Sequence, residues 1–118
     1  MPASQPNDAS LIEAAIKYLD EELSPTLEGY HRFQTRVTIN ALATVRRELM
    51  LRDAHTQQEH QRLVALLGHD GSIDELNAEL CRRIRAGEIA QDDAALRTHV
   101  RTSLRDALEI NNPKWLNR

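Results

Sequence analysis

The polar residues best placed to do chemistry follow one another at four-residue spacing in the middle of the chain. Arg32, Arg36, Asn40 and Thr44 form this series, and Arg47 lies about one turn further on. Residues four apart on a helix share a face, so these side chains form a polar ridge, here called the Arg36 ridge. A guanidinium presents paired N–H donors that match a carboxylate or a phosphate. The spacing therefore predicts a ridge that can hold an anion.

The Arg36 ridge has a structural and a functional interpretation. In the structural one, Arg36 and Asn40 are at least half buried, and Arg36 pairs with Glu21 or Glu22 at the end of the preceding helix. In the functional one, the four polar residues Arg32, Arg36, Asn40 and Arg47 bind a small carboxylate or phosphate ligand. The structural interpretation is favoured, because a ridge on a central helix cannot be wholly solvated.

Other residue patterns that carry chemistry are absent from the sequence. No two of the five histidines lie three or four apart, and His55 and His60, five apart, point about 140° away from each other on a helix. Cys81 has no neighbouring base in sequence and is expected to be a small, semi-buried residue. No glycine pattern matches a phosphate-binding loop. We therefore expect no catalytic residues, no metal and no cofactor, with a zinc site assembled from distant helices as the open alternative.

Charge and hydropathy exclude further classes of function. The chain has 118 residues, with 15 Lys and Arg against 18 Asp and Glu, and its net charge is −3. A nucleic-acid-binding domain usually has a basic surplus, so no nucleic-acid partner is expected. No apolar run reaches the roughly 18 to 20 residues of a membrane span. The first ten residues lack the basic and apolar regions of a signal peptide, so we expect a cytoplasmic protein.

Glycine and proline divide the chain into segments of helical length. Residues 1–7 are expected to be a flexible tail, and residues 8–118 a single domain. Apolar residues recur at helical spacing in five segments, which predicts an all-α fold, an antiparallel bundle of about five amphipathic helices. The predicted helices cover 8–23, 30–51, 54–67, 73–86 and 92–110.

The second predicted helix has the longest apolar stripe. Phe33, Val37, Ala41, Val45 and Leu49 repeat every four residues, which favours a central helix buried against more than one neighbour. Asp53 is the expected cap of the third helix. Apolar residues also lie near helix ends and in the C-terminal tail, and such leftover surface is commonly covered by a second subunit or another protein. A homodimer is therefore one expectation. These residues are Met50, Leu51, Leu66 and Trp115.

Three stretches of the sequence, 30–42 with 47–49, 80–88 and 108–116, have a familiar order and spacing. They resemble a bacterial family of small helical domains of unknown function. Members of that family are typically encoded beside, or fused to, aminoglycoside-phosphotransferase-like kinases and acyl-CoA dehydrogenases. The matching positions include Arg36, Asn40, Arg47 and Glu48. Trp115 stands where the family usually has tyrosine and keeps a large side chain there.

The resemblance and the residue patterns together favour a non-catalytic accessory domain. The resemblance implies, as its partner, an aminoglycoside-phosphotransferase-like kinase or an acyl-CoA dehydrogenase, and it carries over no catalytic residue. A small-molecule binding domain that uses the Arg36 ridge is the alternative. An enzyme with an unrecognised site is a third hypothesis.

Overall fold

The fold is entirely helical over residues 7–117, the part of the chain that the computed structural model describes. Helix accounts for 85% of these residues and none of them forms a strand, which confirms the all-α prediction. The α-helices are α1 (Asp8–Lys17), α2 (Gly29–Leu67), α3 (Ile73–Arg85) and α4 (Ala94–Asn111). A π-helical segment (Tyr18–Leu23) and a 3₁₀ turn (Ser24–Thr26) follow α1, and a second 3₁₀ segment (Pro113–Asn117) follows α4. None of the described helices is both long and apolar enough to cross a bilayer.

The predicted break between the second and third helices is absent, so four α-helices replace the expected five. Helix α2 continues through Asp53 from Gly29 to Leu67. The segment around Asp53 contains neither glycine nor proline, and an aspartate inside a helix costs only a few tenths of a kcal/mol relative to alanine. A possible capping residue therefore did not end the helix. The antiparallel bundle arrangement stays a prediction.

The other helix ends follow their sequence signals. The Ser72 hydroxyl accepts a hydrogen bond from the backbone N–H of Glu75 (3.1 Å), as the capping pattern predicts. Asn7 caps α1 by accepting from the N–H of Ser10 (2.8 Å), and Asp93 caps α4. Gly68 follows the end of α2 with φ +84°, a backbone angle that side chains other than glycine rarely adopt.

The chain divides into two compact units. The boundary lies between Arg52 and Asp53, inside α2, so this helix contributes to both units. They are called here the N-terminal unit and the C-terminal unit. The single domain expected over residues 8–118 stays a prediction. The expected tail, apart from Asn7, lies outside the described residues, as does the last residue of the chain.

A leucine core lies inside the C-terminal unit, where three helices supply buried side chains. Leu63 and Leu76 are almost fully enclosed, with 0% and 1% of their surface exposed. Leu67, Leu80 and Leu96 complete the cluster, and partly buried aliphatic side chains pack around it. The helical spacing of Ile73, Leu76, Leu80 and Ile84 predicts that they form the core face of α3. This prediction is confirmed, because the two leucines are buried and the two isoleucines pack against them.

The N-terminal unit has no comparable core. Among its described residues only Ser24 is fully buried. Partly buried side chains recur at alternating three- and four-residue spacing on the first helical stretch (residues 8–28) and on the part of α2 in this unit. Arg46 on α2 pairs with Glu13 on α1 (3.4 Å). The two partly buried stripes therefore face each other as one narrow contact between two helices. They consist of Ile12, Ile16, Leu19 and Leu23 on the first stretch, and of Thr35, Ile39, Leu42 and Arg46 on α2.

The prediction that the apolar stripe of α2 is buried is wrong. Phe33, Val37, Ala41, Val45 and Leu49 are all exposed. At 100° per residue, Phe33, Val37 and Val45 lie within about 120° of one another, on the side of α2 away from the neighbouring helical stretch. The alternating three- and four-residue series that begins at Thr35 stays on one side of α2, and that side is the one partly buried.

We predict that Leu76→Ala lowers the free energy of unfolding of the C-terminal unit by about 2 to 5 kcal/mol, because it removes fully buried methyl groups from a close-packed cluster. Urea unfolding followed by circular dichroism measures this change. Leu104→Ala is the control, since Leu104 lies on α4 with 62% of its surface exposed. An equal loss of stability in both variants would contradict the described core.

Candidate functional site

The Arg36 ridge lies on the exposed surface of α2. Arg32, Arg36 and Asn40 are exposed, whereas Arg47 is partly buried. The Arg47 guanidinium donates a hydrogen bond to the Thr44 hydroxyl (3.2 Å), and that hydroxyl donates to the backbone carbonyl of Asn40 (3.0 Å). The fold thus holds the C-terminal end of the ridge against the helix and leaves its N-terminal end in solvent.

The structural interpretation of the Arg36 ridge is wrong. No ion pair joins Arg36 to a carboxylate among residues 7–117, and Glu21 and Glu22 are themselves exposed. Arg46 is the arginine that reaches the preceding helix, through its pair with Glu13. The spacing identified a polar ridge but not which arginine faces the neighbouring helix, because that depends on the side of α2 that the contact uses.

An apolar surface borders the exposed end of the Arg36 ridge. Of the eleven large apolar side chains that are prominently exposed among the described residues, eight belong to the N-terminal unit. On α2, Tyr30 is 70% exposed, Phe33 63%, Val37 46% and Val45 48%. These four residues are called the α2 face. On the first helical stretch Leu11 and Tyr18 are also more than half exposed. Clusters of exposed large apolar side chains mark interaction sites in folded proteins.

Charge is unevenly divided between the two helical stretches of the N-terminal unit. Residues 8–28 carry six acidic side chains and one basic one, whereas residues 29–52 carry five basic side chains and one acidic one. Within the described part of this unit, Arg46–Glu13 is the ion pair that joins the two stretches. Five of the six acidic side chains of residues 8–28 lie outside this pair. On α2, Arg52 pairs with Glu48 (2.9 Å) and Arg47 is bonded to Thr44, so Arg32 and Arg36 carry the basic charge that is exposed and outside a described ion pair.

A line of polar side chains joins α2 and α4 inside the C-terminal unit, here called the α2–α4 seam. The Nε atom of Arg62 donates to Nδ1 of His99 (3.0 Å), and its Nη2 atom donates to the Ser103 hydroxyl (3.2 Å). His99 is buried with 6% of its surface exposed. Leu96, Val100 and Leu104 repeat every four residues, a pattern that predicts a core stripe on this helix. Val100 and Leu104 are nevertheless exposed, and the buried face of α4 passes through His99 instead.

The environment of His99 favours its neutral form. Burial lowers the pKa of the imidazole below its ordinary value of 6.5, and the positive charge of Arg62 lowers it further. Because Nδ1 accepts the hydrogen bond from Arg62, the ring proton resides on Nε2. A cavity of about 360 Å³ adjoins this pair and is otherwise lined by alanines, a leucine and a threonine. Apolar cavities of this size with one or two polar groups are typical of small-ligand sites.

Further along the α2–α4 seam, one histidine and two carboxylates converge. His55 extends from α2, and Asp106 and Glu109 extend from α4. A ring nitrogen of His55 and one carboxylate oxygen from each of Asp106 and Glu109 all lie within 4.8 Å of one another. The sequence analysis missed this cluster because His55 is about fifty residues from its neighbours. The three-residue spacing of Asp106 and Glu109 was the one signal visible in the sequence.

A third polar cluster lies at the surface of the C-terminal unit. The imidazole of His69 contacts both carboxylate oxygens of Glu79 at 2.8 Å, and Arg83 pairs with the same carboxylate (2.6 Å). The hydrogen bond to Glu79 raises the pKa of His69 above 6.5, and the backbone carbonyl of Asp70 adds to this effect. Cys81 is exposed rather than semi-buried as expected.

We predict that His99 and His69 change the stability of the C-terminal unit with pH in opposite directions. Because the pKa of folded His99 lies below 6.5, the unfolded chain binds the extra proton, and stability is lost as the pH falls below about 6.5. Because the pKa of folded His69 lies above 6.5, its contribution is complete below that pH and is lost as the pH rises through the folded pKa.

Melting temperatures between about pH 5.5 and 7.5 test this prediction. His99→Gln retains an oxygen that can accept from Arg62 but does not titrate, so its stability should fall less steeply with acid than that of the wild type. His69→Gln should fall more steeply. A His99→Gln slope equal to that of the wild type would show that His99 is not held neutral.

The comparisons with known proteins give a family and no assigned activity. Residues 25–115, well over half of the chain, match the family described as Domain of unknown function (DUF6285). No curated protein and no solved structure matches the sequence significantly. The matched region contains the Arg36 ridge, the α2 face and the whole C-terminal unit up to Trp115. The chain is therefore a member of the DUF6285 family.

Proposed function

We propose that the chain is a non-catalytic accessory domain that acts by contact with other protein chains through its N-terminal unit. The observation that carries the proposal is the α2 face, four large apolar side chains exposed on one helix of a unit that has no buried apolar core. Two helices bury only one stripe each against one another. A second apolar stripe on the same helix is stabilised when a further helix covers it.

The occupant of the α2 face in this proposal is a second copy of the chain. The first helical stretch exposes Leu11 and Tyr18, at 57% and 58%, and it contains most of the acidic residues of the unit. Laid against the α2 face of another copy, it supplies both apolar contacts and carboxylates for Arg36. Two such contacts, related by two-fold symmetry, would bring together four helices, namely the first helical stretch and α2 of each copy.

The exposed apolar area is on the scale that such a contact needs. Each aromatic ring of an interface buries about 150 to 250 Å² when covered completely, and Tyr18, Tyr30 and Phe33 are more than half exposed. With the aliphatic side chains around them, the unit offers on the order of several hundred Å² per chain, close to the roughly 800 Å² that each partner contributes to a standard interface.

The family resemblance adds a partner for the assembled domain. In the same proposal the dimer supports an aminoglycoside-phosphotransferase-like kinase or an acyl-CoA dehydrogenase, the two classes of protein that accompany related domains. This part rests on association alone. The missing nucleophile, phosphate-loop and histidine-spacing motifs support a role without catalysis.

We predict that Phe33→Ser converts a wild-type dimer to a monomer at equal concentration, measured by light scattering after size exclusion. The substitution removes an apolar side chain from the centre of the proposed contact. Leu104→Ser is a closely matched control, because Leu104 is 62% exposed against 63% for Phe33 but lies on α4. Circular dichroism establishes that both variants remain helical.

Two results would contradict the proposed contact. A wild-type chain that is monomeric up to about millimolar concentration, where even weak specific contacts form, would rule out a second copy as the occupant. A Leu104→Ser variant that dissociates while Phe33→Ser remains dimeric would move the contact to the C-terminal unit.

A second candidate function is the binding of a small carboxylate or phosphate ligand at the Arg36 ridge, with Arg32, Asn40 and Arg47 as further contacts. The observation that favours it is the exposure of Arg36, whose guanidinium has no carboxylate partner among residues 7–117. An exposed fork of N–H donors beside aromatic residues is a suitable contact for an anion with an apolar part.

We predict, for this second candidate, that inorganic phosphate shifts the NMR signals of residues around Arg36 and that Arg36→Gln weakens the binding at least about tenfold, because a charged hydrogen bond is lost. Arg101→Gln is the control, since Arg101 is also exposed and lies on α4. Equal weakening in both variants would indicate attraction to overall charge and would eliminate the ridge as a site.

A further inference from the structure

The cluster of His55, Asp106 and Glu109 is built from two helices that are fixed against each other. Asp106 and Glu109 lie three residues apart and so share a face of α4, and His55 faces them from α2. Seven residues after His55, two turns along the same helix, Arg62 is hydrogen-bonded to both His99 and Ser103 on α4. These bonds set the register of the two helices and with it the positions of the three side chains.

The polar atoms of the cluster converge without bonding to one another. Nε2 of His55 lies 3.7 Å from Oδ1 of Asp106 and 3.8 Å from Oε1 of Glu109, and both distances exceed hydrogen-bonding range. Ligands about 2.1 Å from a tetrahedral metal ion lie about 3.4 Å apart, so small side-chain rotations would place all three atoms on one ion.

Burial and charge also fit a cation at this place. The side chains of His55 and Asp106 are only 17% and 19% exposed, while that of Glu109 is 41% exposed and leaves the cluster open on one side. Two carboxylates balance the charge of a divalent ion. A cavity of about 130 Å³ adjoins the cluster and is lined by Thr56, Glu59, Arg62 and Ser103 as well as by two of its members. That space is large enough for water molecules in the remaining coordination positions.

We propose that His55, Asp106 and Glu109 bind a divalent transition-metal ion of the Zn²⁺ type. One imidazole nitrogen and two carboxylate oxygens suit zinc and its neighbours, whereas magnesium and calcium prefer oxygen ligands alone. The guanidinium of Arg62 on the cavity wall is hydrogen-bonded to His99 and Ser103, and the carboxyl side chain of Glu59 lines the same wall. A bound ion would join α2 to α4 and stabilise the C-terminal unit.

This site lies in the C-terminal unit and is independent of the contact proposed for the N-terminal unit. It also departs from the expectation of no metal that the histidine spacing gave. Its ligands come from two distant helices and leave no local spacing pattern, so it corresponds to the alternative that the sequence left open, a zinc site assembled from distant helices.

Isothermal titration of the metal-free full-length chain with ZnCl₂ tests the proposal. We expect one equivalent to bind, and the melting temperature of the C-terminal unit to rise with zinc concentration. Asp106→Asn, which keeps the size of the side chain, and His55→Ala should each weaken binding at least about tenfold. His69→Ala is the matched control, because it removes a histidine that is also beside a carboxylate, and it should bind zinc as the wild type does.

Three results would overturn the metal site. One is the absence of zinc binding at millimolar concentration. Another is binding that His55→Ala and Asp106→Asn leave unchanged. The third is binding that His69→Ala abolishes, which would place the ion at the exposed His69–Glu79 pair. Circular dichroism of each variant separates loss of ligand atoms from loss of the fold.

Discussion

A helix can bury one stripe against one neighbour, and this constraint governs the N-terminal unit. The side of α2 that begins at Thr35 is used by the contact with the first helical stretch, which Arg46 and Glu13 join. The α2 face is thereby left in solvent, although it consists of four large apolar side chains. The division of charge between the two stretches favours the contact proposed above. Acidic side chains of the first stretch of one copy would lie beside basic side chains of α2 of the other copy.

The C-terminal unit has a third helix, so its helices can bury apolar side chains against more than one neighbour. The polar contacts of this unit depend on that arrangement. Leucines from α2, α3 and α4 close a core, so the remaining contact between α2 and α4 can carry polar side chains without loss of the fold. Arg62, buried His99 and Ser103 satisfy one another there. The same register brings His55 to the two carboxylates of α4. One helix pair thus supplies a neutral histidine, a guanidinium and a cluster of three side chains able to bind a metal ion, within about three turns of α4.

Local signals in the sequence predicted much of this architecture. Glycine, proline and capping residues gave the helical class, the ends at Ser72 and Gly68, and the leucine face of α3, because these features depend on neighbouring residues. The signal at Asp53 was misleading, since a weak cap does not interrupt a helix that lacks glycine and proline. The exposure of Phe33 and Arg36 could not be predicted, because the four-residue repeat does not specify which side of α2 meets a neighbour. The cluster at His55 required knowledge of the α2–α4 register.

The contact through the α2 face can be observed directly by isotope-filtered NMR on an equal mixture of labelled and unlabelled chain. This measurement detects nuclear Overhauser effects only between different copies of the protein. We expect such effects between the Phe33 ring or the Val37 methyl groups of one copy and the side chains of Leu11 and Tyr18 of the other. Intermolecular effects confined to residues after Asp53, or none at all at millimolar concentration, would contradict the proposed contact.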